Sequence, residues 1–429
     1  MPDNTEGTSP YPGNNAYVTL LTRPSYLAGA VLLAYTLHKH SPTTPLIITY
    51  TPDTLSEPAI QAFKHESKHS NIILHAVEHL RLPDDGTEHG MVAERFIDTW
   101  TKLRVFDLHG EIGGKKWDRL CWLDADMMIF SNPSPLVFNQ ANDEYLASGG
   151  GMNLMAVHTC VCNLDHDSWA PKTWNPENCA LAKLTSSSQL AKVEPHPETL
   201  SNFNSGTFLY RPSPQLADFV LQKFNDIGNQ RLRAMKFPDQ DFLNEAFDGR
   251  WSSLSWRTNA LKTWRYWHTN IWADKLVAVL HYIVDKPWAA RLNPDGSAGY
   301  LGKDGETHKW WWDEYSNWEK QRKEQGETDL LEVVGKYTAG ESGEMGEEMR
   351  AVGGGAQGWA KKWEGKKEDE ATGDEEKDKK DEQQESFGDG PSGPILRKPM
   401  LGERGHGRVA RGRGIGGRGR GEGWSIMEN

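Results

Sequence analysis

Continuous apolar runs alternate with amphipathic stretches along the first three-quarters of the chain. "AYVTLLT" (residues 16–22) is apolar at nearly every position and predicts a buried strand. "SYLAGAVLLAYTLHKH" follows, opened by Ser25 as a helix cap and closed by Pro42, and predicts a helix. "PLIITYT" predicts a second strand, "SEPAIQAFKHES" a helix with Glu57 in its first turn, and "NIILHAV" a third strand. "AERFIDTWTKLRVFDLH" repeats Phe96, Trp100, Leu103 and Phe106 at helical spacing, and "RLCWLDADMMIF" reads as the fourth strand. Strands alternating with helices imply an α/β fold: a mostly parallel central sheet with helices on both faces.

The pattern fades near Gly326. "KKWEGKKEDEATGDEEKDKKDEQQE" has almost no apolar residues to offset its ordering entropy and predicts disorder. "RGHGRVARGRGIGGRGRGEG" is an arginine–glycine tract. Such tracts make weak RNA or protein contacts through charge and stacking, although a solubilising tail is the plainer reading. The expected organisation is a disordered N-terminus (1–15), one α/β domain (16–325) and a low-complexity disordered tail (326–429).

Composition narrows the function. A formal net charge of −12 argues against a folded nucleic-acid binder and suits a protein with a locally basic pocket. The polar, turn-rich start lacks a signal-peptide pattern, and no apolar run approaches the roughly 20 residues of a membrane span. A cytoplasmic protein without a membrane anchor is expected. The cysteines are Cys121, Cys160, Cys162 and Cys179. They are too few for a disulfide framework, and Cys160 and Cys162 are too close in sequence for a usual zinc pair. Reduced thiols are the favoured reading, and a structural metal the less favoured one.

The chemistry concentrates where strands end. Asp124 and Asp126 interrupt the fourth apolar run at the strand end where α/β sheets place ligands. Two carboxylates there can hold a divalent cation, which in turn holds a diphosphate. "SNFNSGTFLYRPS" sets Asn204, Ser205 and Gly206 in a polar turn, and "FPDQDFLNEAF" offers Asp239 and Gln240 before a helix. "VAVLHYIVDKPW" is an apolar strand reaching His281, with Lys286 shortly after. Imidazole is an acceptable manganese ligand. Lys102 and Lys286 are candidates to neutralise phosphate oxygens.

In order along the chain, "AYVTLLTRPSYLAGAVLL", "TKL" upstream of "LDADMMIFSNPSPLV", "FNSGTFLYRPS", "DQDFLN" and "HYIVDKPW" resemble glycosyltransferase family 8, which includes glycogenin and the galactinol synthases. The resemblance covers about residues 16–318. It implies a GT-A, Rossmann-like fold and retaining hexosyl transfer from a UDP-sugar, galactose or glucose, to a hydroxyl acceptor such as the polyol inositol. It implies manganese held by Asp124, Asp126 and His281, and diphosphate contacts from Lys102 and Lys286. Leu20, Thr22 and Tyr26 match uridine-cradling positions, Ala125 lies within the donor-binding motif, and Arg95 corresponds to a donor-binding arginine. Asn204 and Ser205 match sugar contacts, and Asp239 and Gln240 the catalytic pair near the anomeric carbon. The family often has glycine between the histidine and "KPW". Here a shorter stretch holds Ile283, Val284 and Asp285, so the phosphate-side loop must close differently. A glycogenin-like self-glucosylating protein, with Tyr266 opposite the acceptor tyrosine, and a non-catalytic protein using its tail for RNA are the alternatives. "WRYW" (264–267) and "WWW" (310–312) are expected to pack rather than to stack on sugar.

Overall fold

A computed structural model describes residues 13–82, 94–167, 170–193 and 201–341, together with Met349. The chain divides into compact units 1–370 and 371–429, and every described residue lies in the first. β1 (Asn15–Leu21), β2 (Leu46–Tyr50), β3 (Ile72–Ala76) and β4 (Arg119–Leu123) are mutually parallel. β6 (Leu154–His158), β7 (Phe203–Tyr210) and β8 (Trp251–Ser253) complete a seven-stranded sheet of order β3-β2-β1-β4-β7-β6-β8. Only β7 runs antiparallel to its neighbours. The architecture is the mixed α/β, mostly parallel GT-A type expected from the sequence.

The apolar runs are continuous because both sheet faces are covered. Alternate side chains of β1 leave opposite faces. Tyr17 joins a core with the helix Leu27–His40, while Ala16 and Val18 join one with Trp100, Phe106 and Phe208. Residues Glu94–Asp107, expected as an amphipathic helix, wind as 3-10 turns. Their exposed sequence spacing carries no signal of the tighter winding. The tryptophans of "WWW" sit on the helix Gly305–Glu324, where Trp311 and Trp312 are buried.

The fourth apolar run is two strands, not one. β4 stays in the large sheet, but the chain leaves it at Asp124. β5 (Met127–Ile129) joins a second sheet of order β5-β10-β9, with β9 at Ala260–Leu261 and β10 at Val279–His281. Hydrogen bonding explains the break. The Asp124 N–H donates to the Gly206 carbonyl (3.0 Å), and the Asp126 carbonyl accepts from the Tyr282 N–H (2.9 Å).

The folded part also runs past residue 325, where the tail was expected to begin. Thr328–Gly335 is a helix whose Leu330 and Val334, one turn apart, are buried against the helix Glu57–Glu66. Nearby, buried Glu66 accepts from Arg322 Nη2 (2.5 Å), Arg322 Nε (2.8 Å) and Trp318 Nε1 (2.9 Å). The charged and arginine–glycine segments lie outside the described residues. No described helix is long and apolar enough to cross a membrane.

Candidate active site

Antiparallel pairing of β10 with β5 sets His281 opposite Met127, and so beside Asp126. That register brings together residues 157 and 155 positions apart in sequence. His281 Nε2 lies 3.7 Å from Asp124 Oδ2 and 3.2 Å from Asp126 Oδ1. Glycine is required at 206 for this approach, because a Cβ there would stand 2.5 Å from His281 Cε1. Gly29 serves the other side. Its Cβ would meet the Ala125 carbonyl and the Trp288 ring at 2.6 Å, so glycine lets the helix Leu27–His40 close on the Asp–Ala–Asp turn.

A line of amides fixes the imidazole. Asn259 Nδ2 donates to Asn204 Oδ1 (2.8 Å), which turns Asn259 Oδ1 toward His281 Nδ1 (2.9 Å). With Nδ1 donating to Asn259, Nε2 is turned toward the two carboxylates. Nε2 lies 3.2 Å from Asp126 Oδ1, a separation at which both atoms can face one cation. The donor set has the same meaning: one atom each from Asp124, Asp126 and His281, all within 4.8 Å of one another. Two carboxylates and one imidazole suit a hard or borderline divalent cation such as manganese.

The amide line continues to the predicted catalytic pair. Asn204 Nδ2 donates to Gln240 Oε1 (3.0 Å), and Ser205 Oγ donates to Asp239 Oδ2 (2.8 Å). Asp239 and Gln240 begin the helix Pro238–Ala246, as expected. Lys102 is buried and bridges Asp124 Oδ1 (2.9 Å) and Asp239 Oδ2 (2.5 Å). Burial alone would lower its pKa; Asp124 and Asp239 outweigh it and hold the ammonium above its ordinary value. Lys286 donates to Asp126 Oδ2 and to the Tyr282 carbonyl. Burial alone would raise the Asp126 carboxyl, but Lys286 and then His281 hold it well below the usual carboxylate range. The loop carrying Lys286 closes through Val284 at φ 64°, a left-handed conformation that favours glycine and strains a β-branched residue.

These groups floor a cleft of about 420 Å³, within the size of a small-ligand site. Leu20, Thr22 and Tyr26, at the end of β1 and just after it, line it, as does Ala125. Tyr26 meets Trp288 edge-on at 5.7 Å, and Lys286 Nζ lies 5.8 Å from its ring centre. The opposite wall holds Trp174, Phe237, Tyr266, Trp267 and Tyr300. Of "WRYW", Trp264 is fully buried and Trp267 packs partly buried against the core while also lining the cleft. The Arg95 side chain lies outside the described residues. Sequence reasoning missed Asn259 and Lys262. Lys262, paired with Asp304 at 2.8 Å, also lines the cleft. An isolated asparagine or lysine outside any periodic pattern gave no signal.

The chain is similar to known proteins in sequence. The sequence profile of "Glycosyl transferase family 8" matches residues 17–291, well over half of the chain. Galactinol synthase 4 of Arabidopsis thaliana is 24% identical over 340 residues, covering 76% of this chain and 88% of that protein. Uncharacterized protein R707 of Acanthamoeba polyphaga mimivirus is 25% identical over 294 residues, covering 66% and 85%. Among solved structures, an active-site mutant of LgtC is 17% identical with a TM-score of 0.46, covering 70% of this chain and 95% of that one.

Proposed function

The chain belongs to glycosyltransferase family 8 and is a glycosyltransferase, and from that premise we propose that it moves a hexose from a UDP-sugar to a hydroxyl acceptor with the help of manganese. The observation that carries the metal and donor assignment is the convergence of Asp124, Asp126 and His281 at the floor of the cleft. Those three side chains are the ones that would hold the cation. When bound, it supplies a Lewis acid for the departing diphosphate, an effect worth several kcal/mol.

The remaining work falls to the chain's own residues. Lys102 and Lys286 set two ammoniums beside the leaving group in a partly dry site, where fixed charge counts for more than in water. Leu20, Thr22 and Tyr26 cradle the uridine, with the Tyr26 ring as its stacking surface. Asn204 and Ser205 bind the donor sugar. Asp239 and Gln240 stand beside the anomeric carbon and stabilise positive charge developing there, with retention of configuration. Both are tied to the floor through hydrogen bonds to Ser205 and Asn204, which limits their drift during the reaction.

Galactose is the first-choice hexose and a cyclic polyol the first-choice acceptor. Several relatives are galactinol synthases, and galactinol is a galactoside of such a polyol. The aromatic wall with Asp165 and Asp167 suits that acceptor, offering apolar faces for ring C–H groups and carboxylates for hydroxyls. Tyr266 on the same wall favours one second reading, self-glycosylation. Burial raises its phenol above the ordinary value, so attack requires a base.

UDP release measured across donor sugars, with and without manganese, tests the reading, and Asp126→Asn should abolish the metal-dependent part. Full turnover by that variant refutes the assignment. Intact-mass analysis after incubation with UDP-glucose separates the two acceptors, since hexose added to the chain means self-modification.

A further inference from the structure

A second set of ligand-type side chains shares no residue with Asp124, Asp126 and His281, and one of its members, Cys160, also lines the cleft. Cys160 and Cys162 follow β6, Cys179 follows the 3-10 turn Pro176–Asn178, and His268 follows the helix Trp264–Trp267. All four residues are buried. The sulfurs of Cys160, Cys162 and Cys179 lie 3.0, 3.7 and 3.9 Å from His268 Nε2. One ligand atom from each of the four lies within 4.8 Å of the others.

The 3.7 and 3.9 Å separations lie near the edges of a metal tetrahedron, and the 3.0 Å one is shorter. Zinc–sulfur bonds of about 2.3 Å and zinc–nitrogen bonds of about 2.0–2.1 Å place ligands roughly 3.5–3.8 Å apart. Three thiolates and one imidazole form a closed, four-ligand set, and soft sulfur donors select zinc over manganese or magnesium. Disulfide chemistry explains the arrangement less well. A disulfide would use two of the three thiols, give His268 no role, and leave the third sulfur buried beside it. The short Cys160–Cys162 spacing, which argued against a zinc pair in sequence, is offset by Cys179, 17 residues beyond Cys162, and His268, 106 residues beyond it.

The local backbone supports the same reading. Between β6 and β7 the described residues form little regular structure beyond the Pro176–Asn178 turn. Immediately after Cys162 the chain doubles back. Asn163 and His166 take left-handed φ values of 44° and 56°, and the Asn163 side chain accepts from the Asp167 N–H at 2.9 Å. A segment this irregular needs a cross-link to hold a defined shape, and metal binding can provide one by converting binding energy into folding energy. His268 is anchored separately, its N–H donating to the Trp264 carbonyl at 2.9 Å.

We propose that Cys160, Cys162, Cys179 and His268 bind a structural zinc ion that fastens the segment after β6 to the Trp264–Trp267 helix. The consequence reaches the cleft. Asn163, Asp165, Asp167 and Trp174 on one side of the fastening, and Tyr266 and Trp267 on the other, line the same wall. Zinc therefore sets the spacing of that wall without touching the catalytic floor.

The test uses the full chain, purified reduced and without a histidine tag. Elemental analysis should find one zinc per chain, and a mercurial thiol reagent should release it. Asp126→Asn should keep that zinc, which separates it from the catalytic cation, whereas Cys179→Ser and the Cys160→Ser/Cys162→Ser double variant should lose it. Cobalt exchanged into the unmutated protein provides a readout that does not depend on variant folding: the proposal requires thiolate-to-cobalt charge-transfer absorption and tetrahedral visible bands. The proposal is overturned by absence of zinc after reduced reconstitution, by zinc retained in Cys179→Ser, by cobalt spectra lacking thiolate bands, or by a disulfide joining Cys179 to Cys160 or Cys162 in the reduced preparation.

Discussion

Gly206→Ala tests the link between chain packing and the cation site most directly. A Cβ at this position stands 2.5 Å from His281 Cε1, 2.7 Å from Nδ1 and 2.8 Å from Asn204 Oδ1, whereas ordinary contact begins at 3.4 Å. The imidazole must therefore retreat by about 0.9 Å, the difference between 3.4 and 2.5 Å. It cannot do so alone, because Nδ1 is tied to Asn259 and Asn259 to Asn204. The backbone at 206 is not left-handed, so alanine adds no conformational strain, and removing a strand glycine favours folding by roughly 0.5–1 kcal/mol. The overlap in a buried site costs about 1–3 kcal/mol, so stability should fall modestly while geometry changes sharply. A misplacement near 1 Å costs on the order of 100-fold in rate, or about 2.7 kcal/mol of transition-state stabilisation. The measurements are UDP release against manganese concentration, manganese affinity by electron paramagnetic resonance, and a melting curve as control. A folded Gly206→Ala protein with wild-type kcat/KM and wild-type manganese affinity would refute the geometry of the site.

Asn259→Ala removes the acceptor for His281 Nδ1–H and frees the ring to rotate or change tautomer. Manganese affinity should fall roughly 10–100-fold, with the melting temperature less affected than in a core deletion. Glu66→Ala strips Ser70 Oγ, Trp318 Nε1 and the Arg322 Nε and Nη2 donors of their shared acceptor and leaves Arg322 buried without its counter-charge. Urea unfolding should show a loss of about 3–5 kcal/mol, while turnover per folded molecule stays unchanged because the pair lies outside the cleft.

Legibility in the sequence followed how local each signal was. Asp124 and Asp126 stand out because two carboxylates interrupt an apolar run, and Asp239 and Gln240 because they open a helix. His281 was readable only with its family resemblance, since nothing local says which strand β10 will pair with. The division of "RLCWLDADMMIF" into β4 and β5 was hidden for the same reason: a continuous apolar run looks alike whether one sheet or two receive it. β6 and β8 carried no prediction. Asn259 acts only through His281 and Asn204, both remote in sequence. The thiol cluster is the clearest case. Cys160 and Cys162 looked isolated because their imidazole partner arrives after β7, β8 and β9 have been threaded between them.

Charge balance across the cleft floor assigns the cation a role before any bond breaks. Among the described side chains of the floor, Asp124, Asp126 and Asp239 face Lys102 and Lys286. The other cations lining the cleft are committed elsewhere: Arg23 to Asp98 and Lys262 to Asp304. Carboxylates outnumber ammoniums among these side chains, and a nucleotide diphosphate would bring about two further negative charges to a partly buried site. At an effective dielectric near 20, like charges about 4 Å apart repel by roughly 4 kcal/mol, so under the proposed function a divalent ion bound first would admit the donor. Binding should then be ordered, cation before nucleotide. Calorimetric titration of UDP should show at least 100-fold weaker binding in chelator than in manganese, and Asp126→Asn should weaken binding in manganese while strengthening it in chelator, because one repelling carboxylate is gone. Tight UDP binding by the metal-stripped protein would mean that the two lysines alone suffice, and would remove the electrostatic reason for the aspartate pair.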